Sequence, residues 1–147
     1  MSQQKKKERS KKYRKKSKVF EVFPEIITNL QKGGKLDLAD FEQLESIFGD
    51  RVKKALELVG EHKVRKYAFT PSGVIRWVVT GGTDKDYLVI EHTFCSCKDF
   101  LFNALYRREI PACYHLLARE IAEKTEKYEV ITIEDQFYSE YMNKWLS

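Results

Sequence analysis

The chain has 147 residues, of which 42% are hydrophobic and 33% charged, with three cysteines and a net charge of +5. That length allows one compact domain with a buried core plus appendages. No apolar run approaches the roughly 18 residues of a membrane span, and no hydrophobic stretch follows the N-terminal lysines as a secretory leader would require, so the sequence reads as intracellular, cytoplasmic or nuclear.

The charge is unevenly placed. Residues 1–18 carry ten basic side chains (Lys5, Lys6, Lys7, Arg9, Lys11, Lys12, Arg14, Lys15, Lys16 and Lys18) against one acidic residue, Glu8. The rest of the chain holds 17 basic and 21 acidic residues and is mildly acidic. A run of this kind, with Tyr13 as its single aromatic, is expected to form a disordered arm. Each lysine or arginine set on a phosphate releases condensed counterions. The ten basic residues are therefore the candidate nucleic-acid contacts, non-specific in sequence and sensitive to salt. A solvating tail or a localisation signal would use the same composition.

Helical patterns come next. Pro24 suits a first helical position, and Phe23, Ile26, Ile27 and Leu30 follow helical spacing until Gly33-Gly34. Asp37 or Asp40 can cap a second helix through Phe41, Leu44, Ile47 and Phe48, ended by Gly49. Asp50 can cap a third, with Val52, Ala55, Leu56 and Val59 as its stripe.

From Lys63 the period becomes alternating. Val64–Thr70, Val74–Thr80 and Tyr87–His92 are predicted strands, with turns at Pro71-Ser72-Gly73 and Gly81-Gly82-Thr83-Asp84. The third strand runs into Cys95-Ser96-Cys97. A helical insert over 99–107, with Leu101, Ala104 and Leu105 on one face, leads to Ile110-Pro111-Ala112. Cys113-Tyr114-His115 then opens a helix to about Lys124. The last segment, Glu134 to Leu146, places Phe137, Tyr141 and Trp145 four apart in an aromatic amphipathic helix. That stripe suits core packing, a partner surface or self-association.

The chemistry lies in one pattern, C-x-C-x15-C-x-H: Cys95, Cys97, Cys113 and His115. In extended backbone residues i and i+2 point to the same side, so each doublet can offer two donors to one ion. Three cysteines and a histidine within 21 residues, with no cysteine elsewhere, predict one tetrahedral zinc ion. Buried cysteines acting as small hydrophobes would be scattered, and three cysteines cannot all pair as disulfides within one chain. Four protein ligands leave no open position for water, so the zinc is expected to be structural, without catalysis. His62 and His92 lack accompanying carboxylates or nucleophiles and read as ordinary surface or core histidines. Gly81-Gly82 reads as a turn, because no Gly-Lys-Ser/Thr follows it. Lys98, Arg107 and Arg108 beside the doublets suit either phosphate contact or a solvated face.

The predicted class is α+β: N-terminal helices, a small three-stranded antiparallel meander, a ββα-like zinc finger and C-terminal helices. Its divisions are a basic arm (1–18), a helical segment (19–62), the meander with the finger (63–125) and an aromatic helix (126–147).

The ligand pattern, with Ala118 placed as in C-x-H-x-x-A, resembles the SWIM zinc finger. Leu44-Glu45-Ser46-Ile47-Phe48-Gly49, Ala55-Leu56-Glu57-Leu58-Val59, Thr70-Pro71-Ser72-Gly73 and the two ligand segments also resemble, in order, the SWIM-domain subunit of the Shu complex over roughly residues 36–122. That resemblance implies a non-enzymatic protein of homologous recombination that binds a RecA-family recombinase paralogue and assists recombinase on single-stranded DNA, the intact finger being needed for the partnership. The basic arm and the aromatic helix fall outside the family pattern. A stand-alone SWIM finger that binds nucleic acid, as a transcriptional regulator or a mobile-element protein, is the alternative.

Overall fold

The computed structural model describes residues 37–90, 94–107 and 112–147. The ten basic residues of the arm, the helix predicted from Pro24, His92 and Arg108 lie outside the described residues.

Helix α1 (Leu38–Phe48) begins where the Asp37 carboxylate accepts the Asp40 N–H at 2.8 Å, one of the two caps expected. That bond satisfies an amide with no partner inside the helix. Gly49 ends α1 at φ 63°, a conformation that penalises side chains, and its N–H donates to the Glu45 carbonyl at 2.7 Å. Helix α2 (Arg51–Gly60) follows at once. Asp50 stands at its start, but the Asp50 side chain makes no capping bond. The α2 stripe is Val52, Ala55, Leu58 and Val59, all buried, and Leu56 is only half-buried.

The sheet is larger than the predicted meander. It has five strands in the order β4-β3-β2-β1-β5. β1 (Val64–Thr70), β2 (Ile75–Thr80) and β3 (Asp86–Ile90) are the antiparallel meander, within a residue or two of expectation. The short β4 (Phe94–Cys95) pairs antiparallel with β3, placing Cys95 opposite Val89. β5 (Glu129–Glu134) was not foreseen. It lies parallel to β1, from Arg65 opposite Glu129 to Thr70 opposite Glu134. The fold is therefore α+β with a mixed sheet.

Alternation along the strands divides the core in two. Val64, Trp77, Val79 and Val89 face α2 and helix α3 (Tyr114–Thr125), together with the three cysteines. Tyr67, Phe69, Val78 and Leu88 face the other way, where helix α4 (Tyr138–Leu146) covers them. Trp145 of α4 is 1% exposed, against Tyr67 at 4.7 Å and Phe69 at 6.4 Å between ring centroids. Tyr138, Tyr141 and Met142 pack around the same cluster, whereas Phe137 precedes α4 in a 3-10 turn (Asp135–Phe137) and is exposed. The aromatic stripe thus serves the core. Its entry is fastened to the β1–β2 turn, where Ser72 donates its N–H and hydroxyl to the Asp135 carboxylate at 2.9 and 2.7 Å.

Candidate metal centre

The four predicted ligands arrive from three elements. β4 ends at Cys95, and Cys97 lies two residues on, where the chain turns into a π-helical segment, Phe100–Tyr106. Cys113 holds the cap position of α3 in extended backbone, and His115 sits in its first turn. One donor atom from each of Cys95, Cys97, Cys113 and His115 falls within 4.8 Å of every other, and all four residues are buried. Tetrahedral zinc with Zn–S bonds near 2.3 Å would hold its sulfurs about 3.8 Å apart. A contraction of about an ångström closes the set.

Two further observations test whether an ion fits. Both ring nitrogens of His115 are buried without a hydrogen-bond partner among the described residues, a state that buried polar atoms rarely keep. The thiols show the same need for a cation. Burial pushes Cys113 up to about 12, with the neighbouring sulfur of Cys97 adding to it. Hydrogen bonds with Cys113 and Cys97, then burial, push Cys95 up. Cys97 is held down by hydrogen bonds from the Cys113 and Cys95 thiols, and it also accepts the Phe100 N–H at 3.3 Å. A divalent ion bound here would displace thiol protons and supply folding free energy. The donors fit zinc: three soft sulfurs and an imidazole, with no place left for a reacting water.

The chain matches proteins already known. It is 32% identical over 102 residues, 69% of its own length, to a zinc finger SWIM domain-containing protein 7 homologue of Dictyostelium discoideum. The chain thus resembles a SWIM zinc-finger protein and carries one buried Cys3His set. It spans 64% of the length of that relative. An uncharacterised protein of Archaeoglobus fulgidus is 37% identical over 94 residues, 64% of this chain and 70% of the relative. No protein-family model matches the chain.

The candidate finger is built into the body of the fold. α3, which carries its second doublet, is buried at eight successive positions from His115 to Ala122. The first doublet is braced by Arg51 of α2, which donates to the Asp99 carboxylate at 3.1 and 3.2 Å. Burial alone would raise the Asp99 carboxyl, but hydrogen bonds from Arg51 and Asn103 outweigh it and hold the group below its ordinary range.

The insert between the doublets is a helix, as expected, but of π type, with the Arg107 N–H on the Phe102 carbonyl at 2.8 Å. Phe100 is its buried residue, and Leu101 and Leu105 are exposed. Lys98 and Arg107 beside it are also exposed. His62 is exposed just after α2 and takes no part in the site. Among the described residues no helix is long and apolar enough to cross a membrane. What the sequence reading missed is the wall around His115, made by Gly81, Tyr87 and Tyr114.

Proposed function

We propose that this SWIM protein is a non-enzymatic adaptor in homologous recombination. It binds a RecA-family recombinase paralogue inside the cell, as the SWIM-domain subunit of the Shu complex does, and the basic arm adds affinity for single-stranded DNA. The observation that carries this reading is the outward face of the insert. Leu101 is 47% exposed, Phe102 51%, Leu105 56% and Tyr106 83%, four large apolar side chains within six residues. Contiguous exposed apolar surface of this kind marks docking sites, and aromatics are enriched at interface centres.

The first ligand doublet grips the start of this insert. Cys97 anchors that start, where its carbonyl accepts the Leu101 N–H at 3.2 Å. Zinc bound at Cys97 therefore steadies the start of the docking face, a physical reason for a partnership that needs the finger. A metal with all four positions held by protein side chains supports a structural role and leaves the adaptor without a reactive centre.

The alternative is a stand-alone nucleic-acid-binding finger. It is favoured by the exposure of Lys98 and Arg107 beside Phe102 and Tyr106, since bases stack on aromatics while cations track phosphates. One experiment separates the two. Leu101→Ser with Leu105→Ser removes apolar area and leaves every cation and aromatic in place. Under the adaptor reading it weakens binding to the purified RecA-family paralogue of the same host at least tenfold at 0.5 M salt, with zinc content unchanged. Wild-type protein that ignores the paralogue, yet binds single-stranded DNA without the arm, would overturn the adaptor reading.

A further inference from the structure

A histidine that ligates a metal is ordinarily oriented by a hydrogen bond from its second ring nitrogen to a carboxylate, carbonyl or water. His115 has no such bond to any described residue, although it is 3% exposed. Its ring packs instead against two tyrosines. The Tyr87 centroid is 4.5 Å away with the planes inclined at 39°, and the Tyr114 centroid is 4.1 Å away at 37°. Gly81 also comes close to the ring. A methyl group built there would stand 2.9 Å from His115 Nε2 and 2.9 Å from Tyr87 Cε2, closer than such contacts occur.

Gly81 cannot readily retreat. Its N–H donates to the Lys85 carbonyl at 2.8 Å and its carbonyl accepts the Asp84 N–H at 3.0 Å, closing the β2–β3 turn. One residue earlier, Thr80 donates its hydroxyl to Asp86 at 2.7 Å, and Arg65 donates to both Asp86 and Thr80 at 2.7 and 2.6 Å. That network ties β1, β2 and β3 together beside the glycine. Gly82, the next residue, meets nothing within 4 Å. The two glycines of this turn therefore have different duties, although the sequence writes them alike.

We infer that Gly81 and Tyr87 are positioning residues for the zinc ligand His115. Packing against a bare backbone and an aromatic face sets the imidazole plane, doing here what an orienting hydrogen bond does in other zinc sites. The hairpin thereby takes part in metal binding without supplying a ligand, and this holds whatever partner the finger meets.

The test compares Gly81→Ala, Gly82→Ala, Tyr87→Phe and Tyr87→Leu in the full chain. Zinc affinity is read by competition with a chromophoric chelator, and the ligand set by the absorption bands of the cobalt(II)-substituted protein. Gly81→Ala is expected to weaken zinc binding about 10–100-fold, the range seen when an orienting partner is removed. It should also change the cobalt ligand-field bands as the nitrogen donor is displaced, while thiolate-to-cobalt charge transfer persists. Tyr87→Leu, which keeps apolar cover but loses the ring face, should do the same to a smaller degree. Gly82→Ala and Tyr87→Phe should match wild type. Wild-type affinity and bands in Gly81→Ala would overturn the inference. Should that variant not fold, unchanged affinity and bands in Tyr87→Leu would overturn it equally.

Discussion

Trp145→Ala is the sharpest test of how the two faces of this protein depend on each other. A buried tryptophan removes about 150–250 Å² from water, worth about 4–6 kcal/mol at about 25 cal/mol per Å². The unfolded chain already hides part of that area, and alanine retains a little. About 3–5 kcal/mol is the expected loss, in line with other deletions of large buried aromatics. The site can collapse only in part, because Tyr67, Phe69 and Tyr141 around the indole are held by the strands and by α4. The assay reports from the opposite face. The chain has two tryptophans, so Trp77, which packs on the zinc side, becomes the sole indole fluorophore. With a guanidinium m-value of about 4 kcal/mol/M for a domain of this size, the Trp77 midpoint should fall by about 1 M. Trp77 and Val79 alternate with Val78 along β2, so losing one face should loosen the other. An unmoved midpoint would show that α4 is an appendage on a core that stands without it, and would refute the reasoning.

Other outcomes follow from the same geometry. Elemental analysis should find one zinc per chain, and Cys97→Ala or strong chelation should abolish the folded signal around α3, since structural zinc contributes about 10–16 kcal/mol apparent in isolated fingers; a metal-free protein with native near-UV dichroism would contradict this. Burial raises the Tyr67 hydroxyl above its ordinary value, with Arg65 opposing and Asp86 reinforcing. That contribution to stability is whole below the unfolded tyrosine value of about 10 and is lost as pH rises toward the folded one, so Tyr67→Phe should flatten the alkaline limb of a stability–pH profile, and an unchanged limb would count against it. Deleting residues 1–18 should reduce the salt dependence of single-stranded DNA binding by about 0.7 in log–log slope for each phosphate that the arm neutralised. Titration at several salt concentrations measures it, and an identical slope would show that the arm does not touch the DNA.

The metal site was legible because its information is local. Two doublets of ligand-forming residues name their ion by residue type and spacing, and the structure brings all four together. β1, β2 and β3 were legible from alternation and the turn residues between them. β5 was written in the chain as Val130-Ile131-Thr132-Ile133 between glutamates, a β-branched run, but its pairing with a strand more than 60 residues earlier leaves no mark on either segment. The π-helical insert shows a different limit. Over seven residues a wider turn cannot be told from an ordinary one. Gly81 was legible as a turn residue, yet its second duty depends on an imidazole 34 positions away.

The parallel pairing of β1 with β5 has a consequence for synthesis. When Thr70 has been joined, the partner that will cover that flank of the strand still lies about 60 residues ahead, or roughly 3–12 s at cellular elongation rates. For that interval the nascent chain carries a hydrogen-bonding border open to any neighbour. The lysine and two arginines spaced through the β1–β2 hairpin (Arg65, Lys66 and Arg76) are the sort of charges that keep such borders apart until the final turn of chain arrives to seal them.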